Sequence, residues 1–104
     1  MRVITSVRGI MKEKDPEKAK QVHNAIFGSL RSVGEELGSI GHQTYLNPED
    51  PREFFAVDTW PDMDSLQSFM AHPANPVAGI GSMFEGQPDV VVWVESGCDG
   101  YYNA

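Results

Sequence analysis

Cysteine is nearly absent. Cys98 is the single one among 104 residues, so no disulfide can form within the chain and the fold has to rest on packing. Glycine-flanked and without a basic neighbour, Cys98 has nothing beside it to stabilise a reactive thiolate. Positive charge is scarce too. Eight Lys and Arg stand against fifteen Asp and Glu, a formal net charge of -7, so nucleic acid and anionic membranes would be approached against Coulomb repulsion. The longest uninterrupted apolar run is Val90 to Val94, far short of the ~20 residues of a membrane span. Met1-Arg2-Val3-Ile4-Thr5-Ser6 lacks the apolar run of a signal peptide. The expectation is a cytoplasmic protein with neither nucleic acid nor membrane as partner. Nucleophilic triads, phosphate loops, paired-cysteine motifs and basic stripes are missing as well. What remains are enzyme classes that need little more than a shaped pocket.

A chain of this length supports one domain, residues 1–104, with one core. Arg2 to Ile10 alternates Val3, Thr5, Val7 against Ile4, Ser6, Arg8, so both faces of a strand carry apolar and polar members. Asp15-Pro16-Glu17 supplies a cap, a proline tolerated at a helix start, and a carboxylate at the positive dipole end. Ala19, Val22, Ile26, Leu30, Val33 and Leu37 then draw one apolar stripe, and Gly38 supplies the stop. Gly28 and Gly34 inside that helix mark close packing or a bend. His42 to Leu46 and Arg52 to Trp60 read as a hairpin about a turn at Asn47-Pro48-Glu49-Asp50-Pro51. Asp62 or Asp64 caps a helix with Leu66, Phe69 and Met70 inward, ended by Pro73. Asn75-Pro76 repeats the cap-then-proline signal before a short apolar face of Val77, Ile80 and Phe84. Pro88 to Glu95 is the last strand, and residues 96–104 form an irregular tail.

The order strand, helix, strand, strand, helix, strand closes, with right-handed crossovers, as an α+β fold: a four-stranded antiparallel sheet with both helices on one face. Two helices cover one face only, yet a strand with five apolar residues in a row needs both faces covered. A homodimer joined sheet to sheet is therefore expected.

At Gly41-His42-Gln43-Thr44-Tyr45, Asp50-Pro51, Phe54 through Asp58-Thr59-Trp60, and Leu66 with His72, the chain resembles the antibiotic-biosynthesis monooxygenase-like family of dimeric α+β barrels. Asp58 stands where that family usually has glutamate. The resemblance implies a ferredoxin-like protomer, a dimer whose sheets form a barrel, and a largely apolar pocket between sheet and helices in each protomer. It also implies oxidation of a small aromatic by dioxygen without metal, flavin or haem, the substrate's own anion donating an electron while the protein deprotonates, orients and excludes water. Haem-degrading relatives use an asparagine on the first strand, a tryptophan in the second helix and a later histidine. Arg2 to Ile10 has no asparagine, Leu66 to His72 no tryptophan, and Gly79 stands about where the histidine would be, so haem degradation is disfavoured.

Each candidate residue has a bland reading beside the functional one. Trp60 walls a pocket with its indole N–H toward a carbonyl, or plugs the strand-to-helix corner. His72 is an acid or base, or interacts with the carbonyls ending its helix. Asp58 is a proton acceptor, or bonds amides opening the next helix. Tyr45 and Phe69 are further pocket walls. Tyr45 and Asn47 share one side of their strand, as Phe54, Asp58 and Trp60 do on the next, and register decides whether those sides coincide. Arg8 clamps a phenolate or carboxylate, or pairs with an acid at the core's edge. His42, Asp58 and His72 are in principle a two-histidine, one-carboxylate metal set, but their spacing matches no compact ligand motif and no metal is expected. His23 borders the apolar stripe and reads as structural. The function expected is a cofactor-independent monooxygenase on a phenolic or enolisable aromatic. A metabolite-binding homodimer without catalysis, or an isomerase or cyclase on the same barrel, stays open.

Overall fold

The structure, a computed structural model, describes residues 1–73 and 81–101. Six elements follow in order: β1 (Val3–Met11), α1 (Pro16–Glu36), β2 (Gly41–Asn47), β3 (Asp50–Trp60), α2 (Met63–Ala71) and β4 (Phe84–Val94). The strands form one antiparallel sheet in the order β2-β3-β1-β4, so the α+β, ferredoxin-like reading of the fold stands.

Local chemistry sets the helix ends. Asp15 accepts from the backbone N–H groups of Glu17 and Lys18 at 3.0 and 3.4 Å, with Pro16 at the first helical position. At the other end Ser39 N–H donates to Gly34 O and Gly38 N–H to Glu35 O, a reciprocal cap that needs the left-handed φ of +100° only glycine adopts cheaply. Asp62, rather than Asp64, caps α2 by accepting from Ser65 N–H at 2.8 Å.

Two boundaries and one helix face differ from the sequence reading. The hairpin turn is two residues, Pro48 and Glu49; Asp50 and Pro51 already belong to β3, and Asn47 Oδ1 fastens the turn by accepting from Glu49 N–H. Proline is tolerated there because it lies at the start of a strand. Phe84 opens β4 instead of completing a helical face, and the cap-then-proline signal at Asn75-Pro76 lies outside the described residues. On α1 the inward side runs through Ala19, His23, Ile26, Phe27, Leu30 and Gly34, while Val22 is 43% exposed. The stripe is rotated by about one residue, since i, i+4 steps from Ala19 reach His23 and Phe27. Gly34 is buried against Ser39 and Phe69, as close packing requires, whereas a methyl group at Gly28 would meet nothing within 4 Å.

Register sorts the sheet into two faces. Val3, Thr5, Val7 and Gly9 of β1 pair with Trp60, Asp58, Ala56 and Phe54 of β3, Met11 lies on the same side opposite Phe84 of β4, and His42, Thr44 and Leu46 of β2 continue it. This face packs on the helices. One core cluster joins Met11, Ala19, Phe54, Ala56, Met83 and Phe84; a second joins Val3, Trp60 and Leu66. Phe84, 1% exposed, fills the space over Gly9, where a Cβ would lie 2.6 Å from its ring. The opposite face carries Ile4, Arg8, Tyr45, Phe55, Val57, Val91 and Trp93, with Tyr45, Phe55, Val91 and Trp93 all exposed. All five residues Val90 to Val94 are 41–55% exposed within the chain. Among the described residues no helix is long and apolar enough to cross a membrane.

Candidate functional site

The helix-covered face encloses a cleft of about 760 Å³, within the range of roughly 300–1,000 Å³ usual for small-molecule sites. Trp60, Leu66 and Phe69 wall one end, Leu30 and Gly34 of α1 stand over it, and Gln87, Pro88 and Val90 of β4 border it. At its other end Val7, Phe27, Leu30, His42 and Asp58 are shared with a small apolar recess that reaches His23, Phe54 and Met83. Arg31 and Glu35, ion-paired at 2.7 Å, sit at the rim on α1.

Asp58 and His42 are the polar pair of this cleft and begin a chain of four side chains from three elements that runs outward to α1. Asp58 and His42 are direct cross-strand partners, and His42 Nδ1 lies 2.6 Å from Asp58 Oδ1. An ionised carboxylate only accepts, so Nδ1 donates. His42 Nε2 lies 3.3 Å from His23 Nε2 on α1, and His23 Nδ1 lies 3.0 Å from Asn24 Oδ1. Phe27, one turn beyond His23, lays its ring on the His42 imidazole, with centroids 4.3 Å apart and planes 19° from parallel. The arrangement holds a carboxylate and an imidazole in fixed orientation beside an apolar volume, which is what proton abstraction from a bound substrate needs.

The structure separates the residues singled out in the sequence. Asp58, Trp60 and Phe69 line the cleft, with Trp60 and Phe69 in tilted ring contact at 5.0 Å. Trp60 is also the corner plug: it is 3% exposed, and its indole N–H is buried with no partner among the described residues. His72 is the C-cap of α2, its backbone N–H donating to Phe69 O at 3.2 Å, and it is not among the residues lining the cleft. Tyr45, Asn47 and Arg8 lie on the far side of the sheet. The reason is register: Tyr45 pairs with Phe55, not Phe54, which turns it away from the face of Asp58 and Trp60. Arg8 pairs there with Glu53 through Nε at 2.8 Å, and Asn47 Nδ2 donates to the same carboxylate at 3.3 Å. Those two bonds, Arg8 first, hold the Glu53 carboxyl below its ordinary range. Among the described residues no group of three His, Cys, Asp or Glu side chains is placed to hold a metal ion, the set of His42, Asp58 and His72 included; His42 spends its two ring nitrogens on Asp58 and His23.

His42 and His23 are the site residues missed as catalytic candidates. One signal was available for His42: it lies three residues before Tyr45, hence on the opposite side of β2, the side register gives to Asp58. His23 could have been found only from the phase of α1.

A family-level comparison matches residues 7–75 to antibiotic biosynthesis monooxygenase. No curated protein matches the sequence. Among solved structures, a mutant of SnoaB, a cofactor-independent oxygenase from Streptomyces nogalater, is similar with a TM-score of 0.72 and 14% identity over 93% of this chain and 95% of that one. Rv0793 from Mycobacterium tuberculosis gives 0.70 and 13% over 98% and 100%. A dimeric ferredoxin-like protein from Jannaschia sp. CCS1 gives 0.65 and 15% over 89% and 99%. At such identities the structures speak for the fold alone. The family match spans both strands that carry Asp58 and His42, the helix that carries His23, and α2, and on that match the chain belongs to the antibiotic biosynthesis monooxygenase family.

Proposed function

We propose that this protein is a cofactor-independent monooxygenase acting on a small phenolic or enolisable aromatic bound in the cleft of each protomer. The observation that carries the reading is the Asp58–His42 pair, closed at 2.6 Å beside an apolar volume large enough for a polycyclic ring. Trp60 and Phe69 hold the ring, Asp58 takes the proton, and His42 keeps the carboxylate oriented. The substrate anion then passes electrons to dioxygen; a CH₂ group and O₂ become a carbonyl and water, so no further reductant is required. SnoaB, similar in fold, is itself a cofactor-independent oxygenase, and family membership supports monooxygenase chemistry broadly. The base assigned here is Asp58 with His42, in place of the expected pairing with His72.

The open sheet face supports a second part of the reading: two copies pair through it, burying Tyr45, Phe55, Val91 and Trp93, with Arg8, Glu53 and Asn47 as a polar network beside them. The similar Jannaschia protein is dimeric. Oxygen uptake with a panel of hydroquinones and anthrones tests the activity, with stoichiometric oxygen loss and quinone formation expected. Thermal stabilisation by the same compounds without consumption of oxygen would replace it with a metabolite-binding dimer. Rearranged product without oxygen uptake would point to an isomerase or cyclase using the same acid and base.

A further inference from the structure

The two histidines meet in a way that counts their protons. His42 Nδ1 faces Asp58 Oδ1, and His23 Nδ1 faces Asn24 Oδ1; with the Asn24 amide in the orientation the structure gives it, both oxygens accept, so each Nδ1 carries a hydrogen. A neutral imidazole has one N–H, which leaves a lone pair on each Nε2, and these two nitrogens lie 3.3 Å apart. The ring planes are 9° from parallel and the centroids 5.4 Å apart, longer than the nitrogen separation by nearly the reach of two imidazole rings. The rings therefore meet edge to edge with their lone pairs aimed at each other. Such a contact repels unless something positive lies between. A metal ion does not fit, because it would need further ligands and among the described residues no group of three His, Cys, Asp or Glu side chains is placed to hold one. A single proton does.

We infer that His23 and His42 share one proton between their Nε2 atoms, so that the pair carries one positive charge next to Asp58 in the cleft. The ring of Phe27 lies against His42 and favours a cation at its face. The charged or titratable groups around the pair are Asp58 from β3 and, on α1, Arg31 and Glu35 at the rim, which neutralise each other. From β1 come only Thr5 and Val7. The resting site is then charge-balanced, one carboxylate against one shared proton. Resting on the reading above, the pair has a use in turnover. When the substrate's O–H or C–H bond breaks, its proton goes to Asp58, its electron pair stays on the substrate, and the imidazole charge faces the new anion in place of the neutralised carboxylate. His23 is a positioning residue, acting through His42. Turning the Asn24 amide to offer its NH₂ would make His23 Nδ1 an acceptor and release the stored proton.

The test is ¹⁵N NMR on histidine-labelled full-length protein at neutral pH. Expected are a scalar coupling across the His42–His23 nitrogen pair and protonated Nδ1 atoms on both rings. The coupling should vanish in His23→Phe, which keeps a flat ring and leaves the His42 Nδ1–H on Asp58, and both signals should persist in Asn24→Asp, which keeps the outer acceptor. In oxygen uptake His23→Phe should lose on the order of a hundredfold in kcat with KM little changed. No coupling, or unchanged kcat in His23→Phe across the pH range, would overturn the inference. Coupling in a parent protein that oxidises no substrate would instead remove the oxygenase reading and leave the shared proton standing.

Discussion

Asp58 and His42 face each other as direct partners across the β2–β3 ladder, with Oδ1 2.6 Å from Nδ1. The hairpin register therefore sets the site. Side chains alternate faces along a strand, so a slip of one residue would carry one partner to the open face and leave the other unpaired in the cleft. Asp58→Asn and His42→Gln should each lower turnover roughly a hundredfold or more while leaving the fold intact, since general-base contributions are about 10²–10⁴. Steady-state oxygen uptake with circular dichroism as a fold control checks this. Equal activity in either variant would remove the pair from the mechanism.

Gly9 meets Phe84 where a Cβ would sit 2.6 Å from the ring. Gly9→Ala should destabilise by about 1–3 kcal/mol, the usual cost of overpacking, read as a lower urea midpoint. Adding Phe84→Leu should recover part of the loss, because the two side chains compete for one space and their effects are not additive. Strict additivity would show that the glycine is there for another reason.

Asp62 accepts from the Ser65 backbone N–H, and that bond, helped by the Ser65 hydroxyl, holds its carboxyl below the ordinary range. A carboxyl lowered in the folded state binds fewer protons folded than unfolded, so it stabilises fully above its unfolded value and loses that contribution as pH falls through the folded one. Asp62→Ala should lower the melting temperature at neutral pH, and the gap to the parent should close below about pH 4. Glu53→Gln should behave alike, through loss of its bonds to Arg8 and Asn47. A gap that widens in acid would contradict the sign.

Phe55→Asp and Val91→Asp place a carboxylate on the open sheet face without touching the cleft. Sedimentation velocity should show the parent at twice the 11.5 kDa chain mass and both variants as single chains at micromolar concentration. A stable single-chain parent would leave the exposed aromatics unexplained and remove the dimer.

The sequence carried the fold because its punctuation is local. Asp15-Pro16, Gly38 and Asp62 each work within a few residues, and Pro48 marks the turn between β2 and β3 while Pro51 falls at the start of β3. The site was half legible. Asp58, Trp60 and Phe69 could be placed because strand alternation and a short amphipathic helix leave little freedom. Whether Tyr45 and Asn47 share the face of Asp58 and Trp60 depends on register, because nothing near them reveals which residue of β3 pairs with Tyr45; that is a property of the closed hairpin. His23 was hidden by a rotation of α1 of about one residue, which sends Val22 outward and brings an imidazole to His42. A lone histidine among apolar neighbours carries no mark of the partner it will find on another element.

β4 lies at one edge of the sheet, with β1 on one side and, among the described residues, no strand on the other, and it ends in Val90-Val91-Val92-Trp93-Val94. An edge with free amides and carbonyls, β-branched side chains and no proline in those five residues is a template for cross-β growth, and only Asp89 and Glu95 flank it as gatekeepers. Any condition that separates the paired sheet faces and bares Val91 and Trp93 of this strand, whether dilution, acid or a surface mutation, should therefore end in fibrils before it ends in unfolded chains. Thioflavin T fluorescence rising ahead of the loss of helical circular dichroism would record that order.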